Sequence, residues 1–579
     1  MNGRTSEELQ RIQQHVSKQF DAPQQNAFRM SKKSYKPKEA NHHQEDLEKS
    51  ILGLSIKQIK DQAPINLRES LIIAQTTPRK ASAPVISQQV KQDKRNQIFS
   101  EFFIIGVDPS TITKQELDNE VPVEPQNLYM FKEDPKTSTC QRRIVVKDFC
   151  FPNGVQIRTL KKKRAHKILY GQQTNSKENS FVFTLQAQNM NNYDVSVPDE
   201  FIYCNVLIFD EIHKIPDGGF YTSQKALCLM TNYRFFELYL QILNVIYSLY
   251  KIERFNILQE DFKTEHAFLM QNTEETIVKE LTAATRVPLI FPEVETVLQL
   301  FSQANPLDNI IDLRNKILRC SISQRIPQSM KELQLSDVDW LAPMFLSALS
   351  ADQFLKILYA IMLEKSVIFV SDNLPLLSSA VLGMQCFLLP FKWSYVQIPI
   401  LPKSLIDMVE APMPFLVGLL RAHLSSVPSI QEGSVRNPSF PGDFSDQERM
   451  VVYINDTKKE VTIDDQTVQY SQPNFKNLVD KLALPFSVLN STKYYIYTPN
   501  DKQKKALHEI SDLMLSTFHE NISNNLPSDI LKGQKKVGDP RILTESILQN
   551  ARPQDRKFME QFVNTCMLVQ YLERNFCQF

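Results

Sequence analysis

Glycine is scarce, with 13 in 579 residues. That argues against Gly-rich phosphate cradles, collagen-like segments and many-bladed propellers. Net charge is nearly absent as well: 66 Lys and Arg stand against 65 Asp and Glu, a formal +1. Such a balance gives no reason to expect a nucleic-acid binder or a strongly basic membrane-surface protein. No uninterrupted apolar stretch approaches the ~18–20 residues of a membrane span. The nearest, Val381–Phe391, is too short and is broken by Pro390. The N-terminus lacks the apolar core of a signal peptide. The eight cysteines (Cys140, Cys150, Cys204, Cys228, Cys320, Cys386, Cys566 and Cys577) form no C-x-x-C pair, and most sit in apolar runs. This is neither a disulfide framework nor a zinc site, and it suggests reduced, buried thiols in a cytosolic protein.

Hydrophobic residues at 42% and charged residues at 23% are ordinary for globular chains. At about 150 residues per domain, the length amounts to roughly four domains. Residues 1–95 are rich in Gln, Lys, Ser and Asn and poor in aromatics, which predicts a mostly disordered tail. Within it, EDLEKSILGLSIKQIK has helical spacing interrupted by Gly53, so a nascent helix without a role is preferred over a partner-binding one. Order is expected from Ile98. Strands are expected at IFSEFFIIGV, NLYMF (127–131), FCFPNGVQI (149–157), SFVFTLQ (180–186) and FIYCNVLIF (201–209). KALCLMT (225–231) then leads into an amphipathic helix over 233–251. Short strands with polar loops, then a long helix, predict an antiparallel first lobe at 98–255. Residues 256–330 read as the inter-lobe connection.

The second lobe, 331–460, alternates helix and strand. Ser350 and Gln353 have the form of a capping box, followed by apolar residues at helical spacing. Val367–Val370 is apolar on both faces, as a strand within a parallel sheet must be. Pro375 opens the next helix. A strand at 395–400, a proline-started helix at 402–409 and strands at 415–419 and 450–454 follow, with a charged loop at 424–448. The pattern predicts an open, doubly wound α/β sheet with helices on both faces. Residues 461–579 read as mostly helical.

The search for chemistry is mostly negative. There is no G-x-x-x-x-G-K, G-x-G-x-x-G after a strand, H-E-x-x-H or G-x-S-x-G. Asp210, Glu211 and His213 lie close together before a Pro-Asp-Gly-Gly turn, where a solvated loop is preferred over a metal or acid–base cluster. The basic run Lys161–Arg164 reads as an exposed hairpin loop rather than a lipid contact or localisation signal. No catalytic residue, cofactor or metal ligand is expected.

Several distinctive sequence blocks follow one another in order over 98–579. The upstream part carries FFIIGVDP, FCFPNGV, SFVFTL and KALCLMTNYRFFELYLQIL. The central part, the most specific, carries LSDVDWL, LSADQFLKILYAIMLEKSVIFVSDNLPLLSSAVLGM, FLLPFKWSYVQIPILPKSLIDMVEAPMPFLVGL and MVVYIN. ARPQDRKFMEQFVNTCMLVQYLE resembles the downstream helices. Together these blocks resemble a DENN-domain protein, and the chain departs from that family's usual pattern at QNMNNYDVSVPDE, where a Gly-containing loop often stands, at Asn455-Asp456-Thr457, and at Cys566, where a glutamine is common.

The resemblance implies an N-terminal longin-like α+β lobe and a C-terminal α/β lobe with a helical subdomain. It also implies the activity of a guanine nucleotide exchange factor for a Rab-type GTPase in membrane traffic. Covalent catalysis is not needed for that, and the nucleotide and Mg²⁺ belong to the partner. A scaffold or effector of the same fold, or a GTPase-activating protein using Arg158 or Arg234, is the alternative. Ligands of open α/β sheets bind beyond the carboxyl ends of strands. The candidate GTPase surface is therefore Ser371, Asp372, Asn373, Leu374, Pro399, Pro402, Pro412, Met413 and Pro414, with Trp393 expected in the core. The FPNGV turn and the start of the 233–251 helix are weaker candidates. The expected setting is cytoplasmic, with at most peripheral membrane association and recruitment to endomembranes or vesicles.

Overall fold

A computed structural model describes residues 97–577 apart from 133–139, 162–163, 166–167, 169–175, 187–200, 216–218, 269–291, 307, 316–319, 428–448, 466–474, 532–536 and 554. The tail helix considered at 45–60 and the apolar VPLIFP stretch up to 291 lie outside the described residues. The chain divides into two units. One comprises 1–95, 250–287 and 314–321; the other comprises 96–249, 288–313 and 322–579. In the first, the described residues are the end of one long helix from Tyr250 and the tip of a hairpin.

In chain order the elements begin with β1 (Glu101–Gly106), α1 (Lys114–Asn119), β2 (Gln126–Lys132), α2 (Cys140–Cys150) and β3 (Ile157–Leu160). Next come β4 (Ser180–Gln186), β5 (Phe201–Lys214), β6 (Phe220–Thr231) and α3 (Phe236–Phe268). The strands form one antiparallel sheet in the order β2-β1-β6-β5-β4, with β3 also on β6. Side chains alternate between two buried faces. Phe103, Ile105, Phe183, Cys204 and Cys228 meet Val146 and Phe149 of α2, and Phe149 stacks on Phe183 at 4.9 Å. On the opposite face, Tyr203 meets Phe236 edge-on at 5.7 Å and Phe209 meets Tyr247 at 4.9 Å, which seats α3. A sheet covered on both faces accounts for the nearly continuous apolar character of β1, in which all six residues are buried.

Two expectations are corrected in this lobe. FCFPNGVQI is not a strand throughout: Phe149 and Cys150 end α2, Gly154 turns the chain at φ 75°, and β3 begins at Ile157. Pro152 lacks an amide for a ladder and Gly154 adopts the left-handed region, so the segment breaks where an apolar count would continue it. Asp210, Glu211 and His213 are likewise not in a solvated loop but within β5. Glu211 and His213 are buried. Lys225 Nζ lies 2.5 Å from Glu211 Oε2, and His213 Nε2 lies 2.9 Å from Ser223 Oγ. The facing strand β6 supplies the compensating groups, and that pairing is invisible in a local window.

The chain continues through α4 (Pro292–Ser302), the β7–β8 hairpin (Ile310–Asn315, Cys320–Arg325), α5 (Met330–Leu341), α6 (Pro343–Leu346) and α7 (Ala351–Met362). A second sheet follows: β9 (Ser366–Ser371), α8 (Leu374–Gln385), β10 (Val396–Ile398), β11 (Phe415–Leu420), β12 (Arg449–Asn455) and β13 (Glu460–Asp465). Its order is β10-β11-β9-β12-β13, parallel except for the β12–β13 pair. The Ser350–Gln353 capping box forms as expected, and all of β9 is buried. Val367, Phe369, Leu416 and Val452 face α7 and α8 in one core. Ile368, Val370, Val417 and Leu419 face Leu401, Val409 and Leu424 in another. The α/β architecture therefore stands, with one refinement. The second face is covered by 3₁₀ segments, Lys403–Glu410 and Arg421–Ser426, rather than by α-helices. A backbone kink at Leu405 (φ −116°) interrupts the regular turn there. Strand β13 was not anticipated, because its EVTIDD sequence is too acidic to read as sheet.

Helices α9 (Phe475–Asn490), α10 (Asp501–Ser523), α11 (Ser528–Leu531), α12 (Pro540–Asn550), α13 (Arg556–Phe562) and α14 (Cys566–Phe576) complete the chain. They extend the α7–α8 core: Phe391 lies 5.8 Å from Phe518 and 5.3 Å from both Phe562 and Tyr571. The carboxylate of Glu364, just past α7, accepts from the Cys566 and Met567 amides at 3.0 and 2.7 Å and so caps α14.

The two sheets meet at α5 and α8. Ser378 of α8 bonds Val182 of β4, and Arg234 Nη1 lies 2.7 Å from Asp337 Oδ2 of α5. The Lys177 ammonium sits 3.9 Å over the Trp340 ring. No described helix is long and apolar enough to cross a membrane.

Candidate functional site

The strand order places a topological switch at β9: the chain goes out to β10 and back to β11 on one side, then crosses to β12 on the other. Crevices at such carboxyl ends are where open α/β sheets take ligands. Here the ends of β9, β11 and β12 are joined by polar groups. Ser371 Oγ donates to Asp456 Oδ1 at 2.5 Å and accepts from the Asn373 amide at 3.0 Å. Asp456 Oδ2 accepts from the Asp372 amide at 3.0 Å. Arg421 Nε donates to Asp372 Oδ2 at 3.2 Å, and its Nη2 donates to the Ile454 carbonyl at 2.8 Å. Three loops distant in sequence thereby hold one another in register.

The sequence explains these positions. Ser371 is the last, fully buried residue of β9, so its hydroxyl must bond locally. Asn373 is the N-cap of α8, with Oδ1 accepting from the Leu376 amide at 3.0 Å, and Leu374 and Pro375 open the helix. The Tyr497 hydroxyl reaches the Asn373 side chain, and burial pushes that phenol above its ordinary pKa. What remains for a partner is an exposed ion pair: the Asp372 side chain is 60% accessible and that of Arg421 41%. Exposed pairs contribute about 0–1 kcal/mol, so a partner's charged group can displace one at little cost.

The other expected residues separate into two groups. Pro399 and Pro402 are buried; the Pro399 carbonyl packs against Gly418, where a Cβ would collide with it. Pro412, Met413 and Pro414 precede β11 and so lie at the opposite edge of the sheet from Ser371–Leu374, about 17 Å away along a strand of this length. The nine residues therefore do not converge on one spot. Both proline-rich loops look in sequence like strand ends, but Pro412–Pro414 enters its strand. Pro412 and Met413 are exposed, Met413 at 46%. Trp393 is in the core as expected, with Nε1 donating to the Val396 carbonyl at 3.3 Å.

The first lobe contributes at the second edge. Ser404, in the segment leading to Met413, hydrogen bonds Asp148 of α2, whose carboxyl is pushed up chiefly by burial. The exposed Asn153 of the FPNGV turn follows a few residues later. Arg234, two residues before α3, is engaged by Asp337. Arg421 and Asp456 were missed in sequence because their partners lie 49 and 85 residues away.

Comparison with known proteins finds a family profile over these loops. Residues 222–435 match the profile described as the DENN (AEX-3) domain. DENN domain-containing protein 2B of Homo sapiens is 45% identical over 86 residues, which is 15% of this chain and 7% of that protein. DENN domain-containing protein 2A of Mus musculus is 40% identical over 86 residues, 15% of this chain and 8% of that one. DENN domain-containing protein 2D of Homo sapiens is 38% identical over 74 residues, 13% and 16% respectively. The matched stretch is thus a small part of each relative's length. The matched region holds β9, α8, β10, β11 and the loops carrying Asp372, Met413 and Arg421, and over residues 222–435 the chain is similar to the DENN domain.

Proposed function

We propose that this chain is a guanine nucleotide exchange factor for a Rab-type small GTPase, acting in the cytoplasm and on recruitment to endomembranes. The observation that carries the reading is the DENN match over 222–435, which contains the Asp372–Arg421 pair at the sheet's switch point. An exchange factor makes or breaks no covalent bond. It binds the nucleotide-free GTPase more tightly than the loaded form, and by linkage nucleotide affinity falls by the same factor. Each ~1.4 kcal/mol of that coupling is worth tenfold. The route is contact with the GTPase switch segments, held away from nucleotide and Mg²⁺. In this reading Asp372 and Arg421 select a complementary charged pair, and Pro412 and Met413 add an apolar contact at the far edge.

The GTPase-activating alternative needs an arginine able to reach a γ-phosphate. Arg234 is held by Asp337, which weakens that reading. The test is a panel of Rab proteins loaded with fluorescent GDP. Accelerated release with this chain supports exchange. Accelerated hydrolysis alone supports activation, and binding without either supports a scaffold or effector.

A further inference from the structure

His423 lies in the 3₁₀ segment Arg421–Ser426 directly after β11 and is only 3% exposed. Neither of its ring nitrogens has a hydrogen-bond partner among the described residues. A neutral imidazole carries one donor and one acceptor, and burying both unpaired is costly; burying the imidazolium is far costlier. The charged groups around it offer no relief. Lys403, from the 403–410 segment, adds a like charge. Arg421, on the same turn, faces Asp372 and the Ile454 carbonyl. The carboxylates of this edge are engaged: Asp372 by Arg421, and Asp456 by Ser371 and the Asp372 amide. Burial first, then the Lys403 charge, hold the imidazole below the ordinary histidine range.

We propose that His423 is an acid-sensitive latch: on protonation it leaves its buried seat and carries the Arg421–Ser426 turn with it, releasing Arg421 from Asp372 and Ile454. Leu424 and Val427 pack this turn on the Ile368 and Val370 face, so its displacement also uncovers that face. With a folded pKa below the unfolded one, the latch holds above the ordinary histidine value of 6.5 and loosens as the pH falls through the folded pKa.

Its effect on a partner rests on the exchange reading above, but the latch itself does not, so the test uses this chain alone. Hydrogen exchange of the 415–427 amides is followed by mass spectrometry from about pH 7.5 to about pH 5.5, corrected for intrinsic rates. Protection of the turn should be lost progressively as the pH falls in the wild type and stay nearly level in His423→Phe. Constant protection in the wild type, or an equal loss in His423→Phe, overturns the proposal. Should that variant fail to fold, ring NMR of His423 in the wild type decides: a midpoint at or above 6.5 overturns it, and a lower one with parallel shifts of the Arg421 side chain supports it. Failure to act on any GTPase leaves these readouts untouched.

Discussion

The hydroxyl of Ser378 both donates to the Val182 carbonyl at 2.6 Å and accepts from the Val182 amide at 3.1 Å. Val182 lies in β4, at the edge of the first sheet, where backbone groups otherwise have no strand to pair with. One side chain of the second lobe thus completes a strand of the first. Ser378→Ala leaves both backbone groups buried and unpaired, so stability should fall by about 1–3 kcal/mol. A urea midpoint that does not move would show that water or a neighbour satisfies Val182 instead.

Arg234 and Asp337 form the second joint. Burial raises the Asp337 carboxyl to about 7 despite the guanidinium beside it. Between its ordinary 3.8 and about 7, the folded chain holds a proton that the unfolded chain has released. Its contribution to stability is therefore complete below 3.8, is lost as the pH rises through that window, and levels off above about 7. Asp337→Asn should flatten this slope. Thermal midpoints measured across the window for both chains test it, and an unchanged slope in the variant sinks the assignment.

Lys177 behaves oppositely. Burial lowers its ammonium to about 7, against the pull of Glu237 and Asp339. From about 7 up to the ordinary 10.5, the unfolded chain keeps a proton the folded one has shed, so this group's contribution rises with pH there. Because the ammonium lies over Trp340, the fluorescence of that indole should titrate with a midpoint near 7. Lys177→Met should abolish the transition while Trp393 continues to emit; persistence of the transition would assign it elsewhere.

Asp372 and Asn373 should come apart under mutation. Asp372 is exposed, and its side chain contributes an ion pair of about 0–1 kcal/mol, so Asp372→Ala should leave the melting point nearly unchanged while slowing GDP release. Asn373→Ala removes the α8 N-cap and should cost about 1 kcal/mol in stability. Equal melting losses in the two variants would remove the distinction.

Phe369 is fully buried at the centre of the second sheet, edge-on to Phe345 at 5.4 Å. Phe369→Asp places an unpaired charge there, and the lobe should not fold. Loss of the cooperative far-ultraviolet melt, against a retained one in Phe369→Leu, checks this.

These features were not equally legible in the sequence. Ser350–Gln353 and Val367–Val370 were readable because caps and buried strands are written in a few neighbouring residues. Glu211 and His213 were misread because a charge in a strand makes sense only when Lys225 and Ser223 arrive from the next strand. The same holds at the candidate site. The Asn-Leu-Pro helix start announced itself, whereas Arg421 and Asp456 gain their meaning from sheet order, which no local spacing encodes. Met413 and Asp372 were grouped because both flank prolines or strand ends, and strand direction then placed them at opposite edges.

Glu364 adopts a left-handed backbone at φ 56° to bring its carboxylate under α14, 202 residues further on. The closing helices are thus clamped to the middle of the chain by an acid that burial already makes reluctant to ionise. Trimming the protein after Asn564 would strip that acid of its backbone donors and take Tyr571 from the ring of Phe391, so the tail end is a fastening of the central sheet and not an appendage to it.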